Sequence, residues 1–404
     1  MCSRRPAVSL APPADSPLRS CGRDHRPGAH LDNLTHALVG AAISKAGAER
    51  TTPLATATLV LAANAPDIDV LSYVRGSYFA LSFRRGITHG WPALVVLPFL
   101  VTAAVLGWDR WVRRRRQPSA DPVRAGPTLA LSAIGVLTHP TLDWMNTYGM
   151  RWALPFDGVW SYGDALFIID PWIWLTLGAA VFLAVTPGRR GVTAWAVVAA
   201  AASVLVLAGM PAARVGWVLG LALIAWLHRE GRPRTPNGGR ALAGVAVAVV
   251  ALYIGALVLL DGVARNDVRR VAESAGLTPK DIMVAPVGGD LSASSVAVLT
   301  DAGFVLGTYR RFGSPRVDLA LTDTVPLVTG PASIPRAALD LVIADARMVP
   351  AVHNYLVWSR YPYVAVEPDG DSWRVRFADA RYVGELGAGG LGGVEVLVPR
   401  GPSP

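Results

Sequence analysis

The sequence predicts an all-α, polytopic membrane domain of about eight helices, followed by a small, strand-rich α+β soluble domain. Three observations carry that prediction. Of 404 residues, 52% are hydrophobic and 17% charged, with a positive mean hydropathy, a balance too apolar for an ordinary soluble chain. The apolar residues fall into runs separated by short Arg-rich loops, the pattern of membrane spans with basic inner loops. After residue 260 the apolar runs shorten and begin to alternate, which is the period of half-buried strands. The formal charge of +9 would otherwise suggest nucleic acid. Its Arg residues lie in loops between spans, so charge bias across a membrane is the simpler account and no nucleic-acid partner is expected. Cys2 and Cys21 both lie in the polar N-terminal stretch and offer neither a disulfide core nor a Cys-rich zinc site.

Residues 1–30 are rich in Pro, Arg and Ser and have no apolar h-region, so they read as a disordered extension and not as a signal peptide. One expectation is that the true start lies near Leu31, the upstream segment being a gene-start error. The membrane domain is expected over 31–260. A short apolar helix runs from His36 to about Ala46 and a second from Pro53 to about Ala65, where Pro66 stops it and leaves Asp67-Ile68-Asp69 at the exit. A polar loop ends in Arg84-Arg85-Gly86-Ile87-Thr88-His89, and Trp91–Trp108 is a clear span, followed by the basic run 110–116. Thr128–Asn146 is a fourth span, and Leu166–Thr186 a fifth, with Asp164 and Asp170 at its start and Trp152, Trp160 and Trp172 as an interfacial belt. Val192–Met210, Val215–His228 and Ala241–Leu260 complete the set. They carry almost no ionisable groups, which marks them as anchors and not as a transport path. Over 261–404, Ser294–Leu299, Ser372–Phe377 and Gly393–Val398 read as strands of the soluble domain.

The end of the fourth span reads Thr138-His139-Pro140-Thr141-Leu142-Asp143. On a helix, an imidazole and a carboxylate four residues apart share one face, and both can enter one metal coordination sphere. A lone pair of this kind is also an ordinary helix-end contact. Loop charge sharpens the reading. With the Arg-rich loops inside, His36, Asp67, Asp69, His89, His139, Asp143, Asp164 and Asp170 all fall on the outer face, and the soluble domain falls outside with them. His228, beside Arg229 in a basic loop, and His353, with no acidic or His neighbour, read as structural.

These residues carry a resemblance. Asp32-Asn33-Leu34-Thr35-His36, Pro66-Asp67-Ile68-Asp69, Arg85-Gly86-Ile87-Thr88-His89, His139-Pro140-Thr141-Leu142-Asp143 and Asp164 through Asp170-Pro171 together resemble the bacterial inner-membrane metal-dependent hydrolases, the group whose best-known member is LexA-regulated. The likeness covers about 31–260. The stretch with Trp358-Ser359-Arg360-Tyr361-Pro362 and Asp379-Ala380-Arg381-Tyr382 looks like an extension found in some members. More distantly, the family is similar to zinc-dependent phospholipase C and the P1-type nucleases. Arg84 stands where the family often has His, and a guanidinium cannot ligate a metal.

The resemblance implies that His36, Asp67, Asp69, His89, His139 and Asp143 hold one or more divalent ions. A mixed imidazole and carboxylate set suits zinc or manganese. It also implies hydrolysis of a phosphoester or ester by metal-activated water, with Asp164 or Asp170 as base or as support and Arg85 (or Arg84) neutralising a phosphate. A site at the membrane surface favours a membrane lipid or lipid-like amphiphile as substrate. The rival expectation is a non-enzymatic membrane protein in which metal or salt bridges brace the helix ends and the outer domain binds an envelope partner.

Overall fold

The computed structural model describes residues 32–185, 188–231, 235–385 and 391–400. The N-terminal extension, both cysteines and the expected start at Leu31 lie outside them. In chain order the elements begin with α1 (Asn33–Lys45), α2 (Ala55–Asn64), a 3-10 segment (Ala65–Arg75), α3 (Ser77–Phe83) and α4 (Trp91–Trp108). A π-helical turn (Asp109–Arg113) leads into α5 (Arg114–Arg116), then α6 (Ala125–Trp144), α7 (Pro171–Val185), α8 (Arg189–Gly209), α9 (Arg214–Arg229) and α10 (Pro236–Ser274). Six strands follow, β1 (Asp281–Val287), β2 (Asp290–Leu299), β3 (Gly303–Arg310), β4 (Val317–Leu319), β5 (Val325–Pro326) and β6 (Val328–Thr329). The chain ends through α11 (Arg336–Arg347), α12 (Pro350–Trp358), β7 (Pro362–Asp369), β8 (Ser372–Asp379) and β9 (Gly393–Pro399). The expected fold class, a helical membrane region followed by strand-rich structure, is therefore what is found.

Contacts divide the chain into two compact units. One comprises the described parts of Ala29–Val74 and Phe83–Thr324, the other Arg75–Ser82 with the described parts of Val325–Pro404. In the first unit, four helical stretches are long and apolar enough to cross a membrane: 91–116, 189–209, 211–229 and 237–274. The first two expected spans are shorter. α1 has 13 residues and α2 has 10, about 20 and 15 Å at 1.5 Å per residue against a hydrocarbon core of about 30 Å. The fifth expected span begins at Pro171 because Asp170 caps it: Asp170 Oδ1 accepts from Trp172 N at 2.9 Å and Ile173 N at 3.0 Å, with Pro171 at the first helical position.

Small residues set the packing of the short helices. A Cβ at Gly40 on α1 would lie 2.8 Å from Leu59 O, and one at Gly135 on α6 would lie 2.6 Å from Ala62 Cβ and 3.0 Å from Leu59 O. α2 is thus clasped between α1 and α6 at backbone distance, the close approach that small residues permit between membrane helices. Beside this core, Leu38, Ile173, Leu177, Val206 and Trp217 join α1, α7, α8 and α9. α10 runs 39 residues unbroken, about 58 Å, so the domain boundary expected at 260/261 falls inside it. Its last turns place Ala264, Val268 and Ala272 at helical spacing against Ile282, Val284, Val296, Val298 and Val305 of the antiparallel β1-β2-β3-β4 array.

The second unit holds the sheet β6-β7-β8-β9, parallel between β6 and β7 and antiparallel elsewhere, with α11 and α12 against β8 and β9. The excursion at 75–82 belongs to it: Tyr78 Oη donates to Gly393 O at 3.2 Å and Ser82 Oγ to Asn354 Oδ1 at 2.8 Å. The chain enters β7 through a knot around the buried Asp379. Its carboxylate accepts from Ser359 Oγ at 2.7 Å, Arg360 N at 2.8 Å and Arg381 Nε at 2.9 Å. Burial alone would raise this carboxyl's pKa, but the Arg381 guanidinium and the hydrogen bonds outweigh it and hold the group below the usual carboxylate range. A depressed folded-state pKa supplies stability that is present above the unfolded value and lost as pH falls through the folded one. The melting temperature of this unit, read by tryptophan fluorescence, is therefore expected to drop as pH falls below about 4. In Asp379→Asn it is lower at pH 7 and loses that acid-dependent step.

Candidate metal centre

The close crossing at Gly135 positions the first candidate ligand. His139 stands one turn further along α6, and its Nδ1 lies 2.6 Å from Ala63 O on α2. A carbonyl only accepts, so Nδ1 carries the proton and Nε2 presents a lone pair. His36, on the first turn of α1, stacks on His139 with ring centroids 3.8 Å apart. That turn is fixed by its N-cap: Asp32 Oδ1 accepts from Thr35 N at 3.0 Å, and Trp174 of α7 donates Nε1 to Thr35 Oγ1 at 2.8 Å. His89 comes from the turn after Gly86. Thr88 Oγ1 spends its single hydrogen on Asp69 Oδ2 at 3.1 Å, so His89 Nδ1, 3.0 Å from the same hydroxyl, is the donor there. In the neutral tautomer His89 Nε2 is then the acceptor, and it faces His139 Nε2 at 3.1 Å.

Two carboxylates close on these nitrogens. Asp143 Oδ2 lies 3.3 Å from His89 Nε2 and 3.6 Å from His139 Nε2, and its Oδ1 lies 3.4 Å from His36 Nε2. Asp67 Oδ1 is 3.9 Å from His89 Nε2 and 3.8 Å from His139 Nε2. Ligands 2.0–2.1 Å from a tetrahedral zinc are separated by about 3.3–3.4 Å; the Asp143 spacings fall near that value and the Asp67 spacings are wider. Two overlapping sets, His36/His139/Asp143 and Asp67/His89/His139, have all donor atoms within 4.8 Å of one another. The structure thus gathers five of the six expected ligands. Asp69 stands one step behind, engaged by Arg84 Nε at 3.1 Å, Arg85 N at 2.9 Å and the Thr88 hydroxyl.

Both arginines of the Arg84-Arg85 pair turn inward. Arg84 bridges Asp67 Oδ1 and Asp69 Oδ1, each at 3.1 Å. Arg85 forks onto Asp143, Nε to Oδ2 at 2.9 Å and Nη2 to Oδ1 at 3.0 Å, and reaches Asn146 Oδ1 at 2.7 Å. Its backbone sits at φ 53°, the left-handed region that disfavours a side chain. The Asp69 and Asp143 contacts hold it there, and the Tyr148 ring lies 4.6 Å below its guanidinium. Sequence reasoning missed Asn33, whose Nδ2 donates to Asp67 Oδ2 at 3.0 Å, and Asn146. Both stand within three residues of a ligand, which is the one signal that points to them.

The donor set fits a divalent ion. Three buried carboxylates meet two guanidiniums, leaving the cluster short of positive charge, and burial and the neighbouring Asp143 push the Asp67 carboxyl above its usual range. Two imidazole nitrogens facing each other at 3.1 Å need a proton or a metal cation between them. Asp164 and Asp170 are engaged elsewhere: Asp164 Oδ2 with Arg265 Nη2 at 2.8 Å, and Asp170 Oδ2 with Tyr253 Oη at 2.9 Å, both on α10.

Comparison with known proteins covers this region. Residues 31–215 match the family model described as YdjM inner membrane protein. The match spans every ligand candidate and supports placement in a bacterial inner-membrane family, in keeping with the four long apolar stretches. The chain is also 24% identical over 171 residues to the uncharacterized protein YfhP of Bacillus subtilis (strain 168), covering 40% of this chain and 49% of that relative. It therefore spans about half the length of the curated relative it matches. No solved structure matches the chain.

Proposed function

We propose that the cluster binds zinc or manganese and that the protein is a membrane-bound metal-dependent hydrolase acting on a phosphoester or ester of a lipid or other amphiphile. The observation that carries this reading is the pair of overlapping donor sets His36/His139/Asp143 and Asp67/His89/His139, which share His139, with His139 and His89 each held by a second hydrogen bond at Nδ1. When bound, the ion supplies a water activated near neutral pH and polarisation of a phosphoryl or acyl oxygen. His36, His89, His139, Asp67 and Asp143 hold it, and Asp69 orients His89. Arg85, aligned by Asp143 and Asn146, supplies fixed positive charge beside the reacting group. Asp164 and Asp170 enter as supports, tying the loop before α7 to α10. The Arg-rich loops after α4 and before α10 favour an extracytoplasmic cluster and C-terminal region.

A second reading has its own observation. The guanidiniums of Arg84 and Arg85 already pair all three carboxylates, so the cluster can brace the helix ends without chemistry. Elemental mass spectrometry of detergent-purified protein, with a phosphodiester turnover assay, separates the two. The expected result is one or more zinc or manganese ions per chain, lost in His139→Ala and Asp143→Ala, with turnover lost in both variants. Bound metal without turnover of any lipid or phosphodiester tested favours the brace, and no metal in protein prepared without chelators overturns the metal centre itself.

A further inference from the structure

A cavity of about 460 Å³ opens among α7, α8 and α9, with Leu34 and Leu38 of α1 at its head. That volume lies within the range of ligand sites, about 300–1,000 Å³. One face of each helix lines it: Trp174, Gly178 and Phe182 from α7, Trp195 from α8, and Trp217 through Arg229 from α9. From Trp217 to Arg229 the slot runs about 18 Å along α9, slightly more than the depth of one leaflet of a hydrocarbon core about 30 Å thick. Its long walls are apolar. The ionisable side chains among its described lining residues are His228 and Arg229, and both lie at one end.

Three helix ends meet there. The Phe182 ring lies 4.8 Å from His228 and 5.9 Å from Trp195, which brings the end of α7, the start of α8 and the end of α9 together. α8 opens with Arg189-Arg190 behind a Gly188 N-cap that offers no side-chain bond, so its first N–H groups add a positive dipole end to the same mouth. A Cβ built on Gly178 meets nothing within 4 Å, so this wall is unfilled by the protein itself.

From this polarity we propose that the slot is a binding site for an anionic phospholipid, one acyl chain lying between α7, α8 and α9 and the phosphate at Arg229. The slot's apolar length takes the chain, and the basic mouth selects the headgroup. The site is separate from the His/Asp cluster: His36 stands about half a turn round α1 from Leu34 and Leu38, on the opposite face. It therefore stands or falls independently of the hydrolase reading.

The test is tryptophan quenching in vesicles of phosphatidylcholine doped with chain-brominated lipid, using the full-length protein. Brominated phosphatidylglycerol is expected to quench with about a fivefold preference over brominated phosphatidylcholine, the effect of one interfacial Arg on an anionic headgroup. Arg229→Gln, an exposed position, should remove the preference and leave quenching by both lipids. Gly178→Leu, which fills the slot, should reduce quenching by both, and Trp195→Phe should remove much of the preferential component. Equal quenching by the two lipids in the wild type overturns the proposal, as does a preference that survives Arg229→Gln. Should Gly178→Leu fail to fold by size exclusion, the Arg229→Gln and Trp195→Phe arms still decide.

Discussion

Arg85→Met is expected to destabilise the protein by about 3–5 kcal/mol, measured as a shift of the unfolding midpoint in detergent with chelator present. Arg85 and Asp143 are both buried, 4% and 5% exposed, and the fork between them is the main positive charge on that carboxylate in the absence of an ion. Removing the guanidinium leaves Asp143 in a site where water cannot compensate it. The double variant Arg85→Met/Asp143→Leu should regain most of the loss, because a buried pair replaced whole costs far less than one broken in half. Adding zinc to the single variant gives a second readout. An ion held by His36, His139 and Asp143 would neutralise the stranded carboxylate, so the deficit should shrink with zinc and persist without it. A single variant within about 1 kcal/mol of wild type, close to what an exposed pair is worth, would show that the fork carries little.

Gly135→Val is expected to cost about 1–3 kcal/mol through overpacking and to weaken metal binding by about 10–100-fold. The new side chain would start 2.6 Å from Ala62 Cβ and 3.0 Å from Leu59 O, so α6 must move off α2. His139 travels with it and loses Ala63 O, the partner that fixes which nitrogen is bare. Gly126→Ala, on the same helix in open space, is the control and should leave both stability and metal content unchanged. Titration of the purified variants with zinc, alongside thermal unfolding, reads both effects. Metal binding unaltered in Gly135→Val would separate the helix crossing from the cluster.

Much of this cluster was legible because candidate ligands leave local marks: a His and an Asp four apart on one helix, two acids after Pro66, and a His after Gly-x-Thr. The fold class was legible for the same reason that membrane spans are, through long apolar runs. The clamps were not. Arg84 and Arg85 end a polar loop and read as groups waiting for a phosphate, and nothing local says that they turn back onto three acids. Gly40 and Gly135 look like ordinary glycines in apolar helices until their neighbours are known. The continuation of α10 past residue 260 had a signal, Ala264, Val268 and Ala272 at four-residue spacing, but the charges at Asp261, Arg265, Arg269 and Arg270 masked it. Residues 75–82 belong to the second unit through contacts more than 270 residues away in sequence, beyond the reach of any local pattern.

The unbroken length of α10 has a mechanical consequence. A rod of about 58 Å that tilts by about 10° swings one end by about 10 Å relative to the other, and tilt is how a long span adjusts to bilayer thickness. Its far turns are built into the β1–β4 core, while Tyr253 and Arg265 tether it to Asp170 and Asp164 in the segment leading to α7. α10 is thus shared between two cores, with Ala246, Val250 and Leu257 packed among the helices and Ala264, Val268 and Ala272 against the sheet, so a tilt imposed on the first would be passed to the second.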